Sequence, residues 1–567
     1  MNPSIIGFLF AVLFYMILVS GEKLFYTGLD SFLHWGMFSK TVFYDHNLDV
    51  WNGDLWVNHM SYPHGMASWY SLFALGKSTY TERDVMLSIN VLLFACSCPV
   101  VDIAACKLRR LFSGRKIYAF IAYPVSGISV ASFLWIWRFG EGVWPYISGY
   151  MDIPLGVAFM AALCLAVSDS EACYRKAFAV SLLSAALVMI KPSGIIFVSV
   201  VCLVYLINEY ISEGFSMTKD CIGKLFRRGM LVVSVSLLEL VIWNIMLQYR
   251  GIKGDQFSLK AFLPGTLIAK YQADTAYAEL WRNVIGNFFT AFFTREVVLH
   301  ISAFGWMMIC AALTVLTILL LEDRREKKNV LYVNVCMIVL FCLYNLFLLW
   351  TYLTTMSEGE ALGIKCYDRY IGSYIIGWFV LCIYFLFYYN VKAKKGACLF
   401  VGIFFLCNIF GFLDRRTFLK EIDSEIEGDY ELSLAIRGCI PEAVRGDSGE
   451  MPDLWITYAD EEEALDYGQM VRLKYYLFPD LDLYNIYGTQ EDYQRQMRDI
   501  IAEFSFDYVV LYGVNEDFYN AYYWFFADGL SNAREQYENG RYQAYKVIKD
   551  ENTDEFCWFE PILDAQE

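Results

Sequence analysis

Long apolar runs alternate with polar stretches along most of the chain. The apolar runs fall at about 5–20, 85–105, 117–137, 153–167, 177–190, 194–207, 230–247, 297–321, 330–352, 371–389 and 397–412. A helix needs ~20 apolar residues to cross a bilayer, so these runs predict a polytopic α-helical membrane protein with about 11 transmembrane helices. The stretch 177–207 is too long for one untilted span, and "KPSG" at 191–194 interrupts it. Charge decides between one helix and two. With two, the basic loops at 107–116, 173–176, 224–229, 322–328 and 391–395 all face one side, as the positive-inside rule requires. The N-terminus is then cytoplasmic. The first run has no small-residue cleavage site and is followed by "GEK", so it reads as an uncleaved helix.

The large pieces on the other side are 21–84, 138–152, 248–296, 353–370 and the tail from 414. Within 21–84, Phe32, Leu33, Trp35, Met37, Phe38, Val42, Phe43 and Tyr44 are too densely apolar for a solvent helix. They suit interfacial helices lying at head-group depth. The tail alternates β-rich runs, "DLWITYA" (453–459), "DYVVLYG" (507–513) and 540–550, with a helical pattern at 491–504. The domains expected are therefore a transmembrane domain, 1–413, and an extracytoplasmic soluble α/β domain, 414–567, long enough to bury its own core.

Composition and charge agree with this division. The chain is 57% hydrophobic and 18% aromatic, above the roughly 45–50% apolar content of soluble domains. Residues 417–567 hold 34 acidic and 11 basic residues, against 27 and 34 in the remainder. An acidic tail argues against nucleic acid as a partner. Most of the 16 cysteines lie inside apolar runs, where a thiol acts as a small hydrophobe. No cysteine spacing resembles a zinc site; Cys439 and Cys557 in the tail are candidates for a pair.

The candidate chemistry gathers just past the first helix. Four of the five histidines (His34, His46, His59, His64) lie there with Asp30, Asp45, Asp49 and Asp54. Asp30 and His34 share a helical face at i, i+4. They read equally as the wet side of an amphipathic helix. A divalent metal is left open, since the separations fit no fixed ligand template.

Several stretches, taken in order, resemble the GT-C superfamily of membrane glycosyltransferases. "GLDSFLHWGMFSK" and "HMSYPHG" resemble its first outer loop, with Ser31 and His64 departing from the usual acid and proline. "SGYMDIPLG" (148–156) resembles its second outer loop. "MIKPSG" (189–194), "YDRYIGSY" (367–374) and "VRLKYYLFP" (471–479) resemble later segments of bacterial polyprenyl-sugar transferases. The resemblance implies sugar transfer from a polyprenyl-phosphate donor at the plasma membrane, on its outer face. The acceptor implied is a glycan, a teichoic-type polymer, a lipid or a protein. Metal dependence is not settled by it.

Such a transfer needs a base for the acceptor hydroxyl and cations for the leaving phosphate. Asp30 is the candidate base, with His34 orienting it and Asp152 or Glu141 as a second acid. Lys191 and Arg369 stand at outer helix ends as candidate phosphate ligands, with Arg138, Lys365 and Arg295 in reserve. Each of these cations reads equally as an interfacial anchor, and Asp152 as a helix cap. His59, Tyr62 and His64 complete a candidate substrate loop, and the polar stretch 251–280 suits a lid. Two rival readings stand beside the transferase. One is a transporter or flippase of lipid-linked glycans, although only Asp102 and Glu239 are acids well inside apolar runs and no repeated half is evident. The other is a non-catalytic assembly protein of the cell envelope. The topology has a direct check. In a background without reactive native thiols, a cysteine at 540 should react with a membrane-impermeant reagent in intact cells, and one at 325 should not.

Overall fold

The structure is a computed structural model that describes residues 3–20, 24–46, 60–111, 116–135, 137–139, 146–168, 173–214, 218–252, 275–389, 424–438, 440, 453–457, 466–478, 480–484, 506–511, 543–550 and 556–562. The chain forms two compact units, Met1–Lys420 and Glu421–Glu567.

The first unit is helical. Its elements are α1 (Pro3–Leu18), a π-turn (Ser31–Trp35), α2 (Gly36–Asp45), α3 (Gly65–Ala74), α4 (Glu82–Cys96), α5 (Cys98–Leu111), α6 (Lys116–Leu134), α7 (Asp152–Val167), α8 (Cys173–Ile190), α9 (Gly194–Ser212) and α10 (Lys219–Tyr249). Then follow α11 (Thr275–Thr294), a small hairpin of β1 (Glu296–Val298) and β2 (Ile301–Ser302), α12 (Ala303–Leu320), α13 (Arg324–Thr354), α14 (Glu358–Gly363) and α15 (Tyr367–Tyr388). Among the described residues, five helices are long and apolar enough to cross a membrane: α9, α10, α12, α13 and α15. Shorter apolar helices include α1 and α7, and α4 with α5 makes a bent pair. The chain is a membrane protein by this measure. The run at 397–412, the helical pattern at 491–504 and the lid stretch at 253–274 lie outside the described residues. From Thr275 onward the lid stretch is the start of α11.

Two breaks have local causes. The run read as one helix over 85–105 bends by 54° between α4 and α5. Pro99 lacks the N–H that would continue the ladder, and its ring crowds the carbonyl four residues back. The Ser97 hydroxyl meanwhile donates to the Leu93 carbonyl at 2.7 Å. The second break is at "KPSG". There α8 ends at Ile190, and the chain turns through the Gly194 N–H to Lys191 carbonyl bond, 2.8 Å, before α9 begins.

The core is built on α7 and α15, which are buried over nearly their whole length. Residues 377 and 159 show how closely they approach. A Cβ on Gly377 would stand 2.2 Å from the Phe159 ring, so only glycine fits. Around them, α9 and α13 contribute Phe197, Phe341 and Tyr344 to an aromatic layer against Tyr374. At the far end of α8 from Lys191, the buried Glu209 carboxylate accepts from Lys176 Nζ at 2.8 Å and from Arg228 Nη1 at 2.7 Å. Lys176 also donates to the Ser168 carbonyl at 3.0 Å. One carboxylate on α9 thus ties α8, α10 and the end of α7 together, with each buried charge partnered as desolvation demands.

In the second unit, β3 (Asp453–Thr457) lies between β4 (Asp482–Tyr484) and β5 (Tyr508–Leu511), parallel to both. β6 (Gln543–Lys549) and β7 (Phe556–Pro561) extend the sheet antiparallel. Helix α16 (Ser424–Gly438) packs with α17 (Tyr467–Leu477), which opens on a capping box of Asp466 and Gln469. Ile436, Leu454, Leu473, Leu477 and Val510 form its core. Cys439, and with it the suggested Cys439–Cys557 pair, lies outside the described residues.

The α7–α15 contact makes a testable claim. Gly377→Ala should destabilise the protein by roughly 1–3 kcal/mol, as overpacking of a filled core does, read as a lower melting temperature in detergent. An unchanged melting temperature would mean that the two helices do not approach this closely.

Candidate active site

The first turn of α7 carries Asp152, the first turn of α15 carries Arg369, and the residue after α8 is Lys191. Close packing of α7 on α15 brings the first two together. Arg369 donates to Asp152 Oδ2 through Nε at 3.1 Å and through Nη2 at 2.9 Å. Lys191 Nζ takes the other oxygen, Oδ1, at 2.9 Å. Asp152 is therefore no helix cap; it is the first residue of α7, after Met151 at the cap. Its carboxylate is fully engaged by two cations.

The first outer loop supplies the fourth charge. Arg369 Nη2 also donates to Asp30 Oδ2 at 2.9 Å. One guanidinium thus joins carboxylates that lie 339 and 217 positions away in sequence. The Asp152 side chain is 2% exposed, those of Lys191 and Arg369 10%, and that of Asp30 33%. Asp30 is the wet member of a dry cluster, and the group that a soluble reactant would meet first.

Local bonds hold Asp30 there. Thr27 pairs with Ser148 in a parallel bridge. Ser31 Oγ donates to the Thr27 carbonyl at 2.8 Å and accepts the Gly149 N–H at 3.1 Å. The Asp30 N–H donates to the Tyr150 hydroxyl at 3.2 Å. Gly28, at φ +78°, sits so close to that ring that a Cβ would fall 2.3 Å from it. Tyr150 also lies under the Arg369 guanidinium, 4.0 Å from ring centroid to Cζ, a cation–π contact strengthened by burial. Lys191 stands 5.0 Å from the Tyr370 ring centroid. From α15, Ser373 Oγ donates to the Asp152 carbonyl at 2.9 Å, and Arg369 Nη1 reaches Cys366 Sγ at 3.5 Å.

Burial alone would push the Asp30 carboxyl up. Arg369, seconded by His34 and Lys191, outweighs burial and holds it below the usual carboxylate range. Asp30 is thus ionised at neutral pH. While Arg369 is bound to it, it is a weak base.

The other candidates make no hydrogen bond to this cluster that the described residues show. His34 is buried on the π-turn, its ring 4.7 Å from Trp35 and 5.8 Å from Tyr62. With Ser39, Lys40 and Thr41 also buried on α2, His34 is not on the wet face of an amphipathic helix. His64 is buried between Phe38 and Trp243, at 4.8 and 5.0 Å. It lines a cavity of about 500 Å³ shared with Met189, Glu239 and Trp243. Arg138 is half-buried between the enclosed rings of Trp137 and Phe139. Arg295 donates to the carbonyls of Gly363 and Ile364, at 3.0 and 2.6 Å. Lys365 is exposed, and its ammonium has no partner among the described residues; its carbonyl accepts from Tyr352. His59 and Glu141 lie outside the described residues. Among the described residues, no group of three or more His, Cys, Asp and Glu side chains could hold a metal. Tyr150, Tyr370 and Cys366 carry no role in the sequence reading. The available signal was an aromatic within two positions of Asp152 and Arg369, namely Tyr150 and Tyr370; Cys366 had no signal.

Among solved structures, the Archaeoglobus fulgidus oligosaccharyltransferase in its apo form is 10% identical, covering 89% of this chain and 69% of that one at TM-score 0.41. The same organism's oligosaccharyltransferase AglB, in complex with an inhibitory peptide and a dolichol-phosphate, is 10% identical over 99% and 74% at TM-score 0.39. Its complex with Zn and sulfate is 11% identical over 98% and 73% at TM-score 0.40. Similarity this weak does not establish a common fold. No curated protein matches the sequence. One family profile does match, over residues 5–359, well over half of the chain. The chain belongs to that family, DUF6541, described as a family of unknown function.

Proposed function

We propose that this protein is a membrane glycosyltransferase that moves a sugar from a polyprenyl-phosphate donor to an extracytoplasmic acceptor at the plasma membrane. The observation that carries the reading is the sharing of one guanidinium between a buried carboxylate and a solvent-facing one, with Lys191 beside them. Two cations that lie close together and are largely desolvated are suited to a phosphate. A carboxylate at their wet edge is suited to a hydroxyl.

The roles follow from these positions. The donor phosphate draws on Arg369 and Lys191, whose charge-assisted bonds are the strong ones. As the phosphate engages Arg369, Asp30 loses its partner and becomes more basic. The acceptor oxygen then forms its bond to the sugar C1, and its proton passes to Asp30. The bond from C1 to the phosphate oxygen breaks, and the electron pair leaves with the phosphate, stabilised by the two cations. Asp152 touches neither reactant in this scheme. It fixes Arg369 and Lys191, which would otherwise repel each other. The acceptor classes remain glycan, teichoic-type polymer, lipid or protein.

One observation favours the transporter reading. Glu239 lies in the wall of the cavity beside His64, and neither of its carboxylate oxygens has a hydrogen-bond partner among the described residues. An unpaired acid within a membrane helix is a functional candidate by default. Glu239→Gln separates the two: a transporter would lose lipid-linked glycan translocation in vesicles, while the transferase would retain sugar transfer.

Asp30→Asn should lower the transfer rate by at least ~10²-fold, the scale of a lost general base, with expression and donor binding retained. Near-parental transfer would remove Asp30 from the chemistry. Lys191→Ala and Arg369→Ala should each weaken donor use by roughly tenfold to a hundredfold, the value of a hydrogen bond to a charged group. Unchanged donor KM and kcat in both would leave them as structural ions. Stability should depend on pH as well. The folded-state value of Asp30 is depressed, so its ion pair contributes fully above its unfolded value of about 4. That contribution is lost as pH falls through the lower folded value. The melting-temperature gap between parent and Asp30→Asn should therefore narrow below about pH 4, whereas a gap that stays constant with pH would mean that no such ion pair exists.

A further inference from the structure

We infer that this site works without a divalent cation, because Arg369 occupies the place between Asp30 and Asp152 where such an ion would sit. The carboxylate pair alone resembles part of a hard-cation site. Such ions take six or more oxygens at about 2.0–2.6 Å. Here Oδ2 of both aspartates already accepts from the same nitrogen, Nη2, at 2.9 Å. Asp152 Oδ1 is taken by Lys191 at 2.9 Å. Among the described residues, Asp30 Oδ1 alone of the four carboxylate oxygens is left without a partner.

Charge leads to the same conclusion. Two carboxylates are balanced by two cations in a largely dry pocket. A divalent ion added there would leave an uncompensated double positive charge next to a guanidinium and an ammonium, which low polarity makes costly. Among the described residues, no group of three or more His, Cys, Asp and Glu side chains is placed to hold such an ion. Arg369 performs what a metal would perform elsewhere. In the resting site it holds the two acids together, and it presents positive charge to an arriving anion without leaving when the anion does. The packing supports a permanent cation, because the Tyr150 ring covers one face of the guanidinium at 4.0 Å. A planar, always-charged group is the one side chain that can satisfy both carboxylates and stack on a ring at once.

The inference deepens the transferase reading, and rests on it only where activity is measured. Its decisive arm needs no substrate. Full-length protein in detergent, stripped with EDTA, is titrated with Mn²⁺ and free Mn²⁺ is read by its paramagnetic resonance signal. The parent should show no Mn²⁺ binding that depends on Asp30 or Asp152. Arg369→Gln removes the charge and leaves two facing carboxylates, and should bind Mn²⁺ at least about tenfold more tightly than the parent, a difference of about 1.4 kcal/mol. Adding Asp152→Asn to that variant should abolish the gain, and Arg369→Lys should not produce it. Parent binding that Asp30→Asn removes would overturn the inference. So would a folded Arg369→Gln variant that gains nothing. Should Arg369→Gln not fold, the parent titration with and without Asp30→Asn decides alone. In the activity arm, transfer should be unchanged by EDTA; loss restored by Mn²⁺ would also overturn the inference. Failure of every polyprenyl-phosphate donor to react would count against the transferase reading and leave the cation arm standing.

Discussion

A charge buried inside a membrane protein is costly unless another charge answers it at hydrogen-bond distance. Asp152 is the point at which this protein meets that demand. Its carboxylate is 2% exposed and is bonded to Lys191 on one oxygen and Arg369 on the other. Remove it, and two cations face each other in a site too dry to screen them. Lys191, Arg369 and the first outer loop all take their positions from that carboxylate. The packing of α7 on α15 and the break between α8 and α9 serve it in turn, because each places one partner of Asp152.

The division of labour follows from exposure. Asp152 is enclosed and saturated, so it is a fixed support. Asp30 shares the same guanidinium but keeps one oxygen toward solvent, so it can respond to what arrives. Tyr150 connects the two functions. Its hydroxyl holds the backbone of Asp30, and its ring holds the guanidinium. A movement of Arg369 is therefore felt at the loop that carries Asp30 through two separate contacts.

Much of this architecture can be read from local sequence, and the legible parts share one trait: their cause lies within a few residues. The break at Lys191 is visible because Pro192 and Gly194 interrupt an apolar run, and the helix starts before Asp152 and Arg369 are visible as acids and cations at hydrophobic borders. The bend at Ser97 has its cause in view too, in Pro99, but apolar composition continued through it and hid the kink. What local pattern could not supply was pairing. Nothing near Arg369 indicates that its partners lie 217 and 339 positions away, or that both use one guanidinium. Helical spacing also suggested that His34 would share a wet face with Asp30. The π-turn at Ser31–Trp35 and the burial of α2 put His34 among aromatic rings instead.

Helix α8 is pinned at both ends by charge. Lys176 near its start is locked to Glu209, and Lys191 just past its end is locked to Asp152. Fifteen helical steps separate the two lysines, about 22 Å at 1.5 Å per residue, whereas bilayer hydrocarbon is about 30 Å thick. Neither ion layer can slide outward to close that difference, since each is tied to other helices. On the proposed topology, in which α8 is a span, the surrounding lipid would accommodate the difference, by thinning beside α8 or by letting water and head groups reach inward. On that topology, such a mismatch would lie beside Asp152 and Asp30. On the transferase reading, the membrane itself would then bring a donor head group closer to the aspartates.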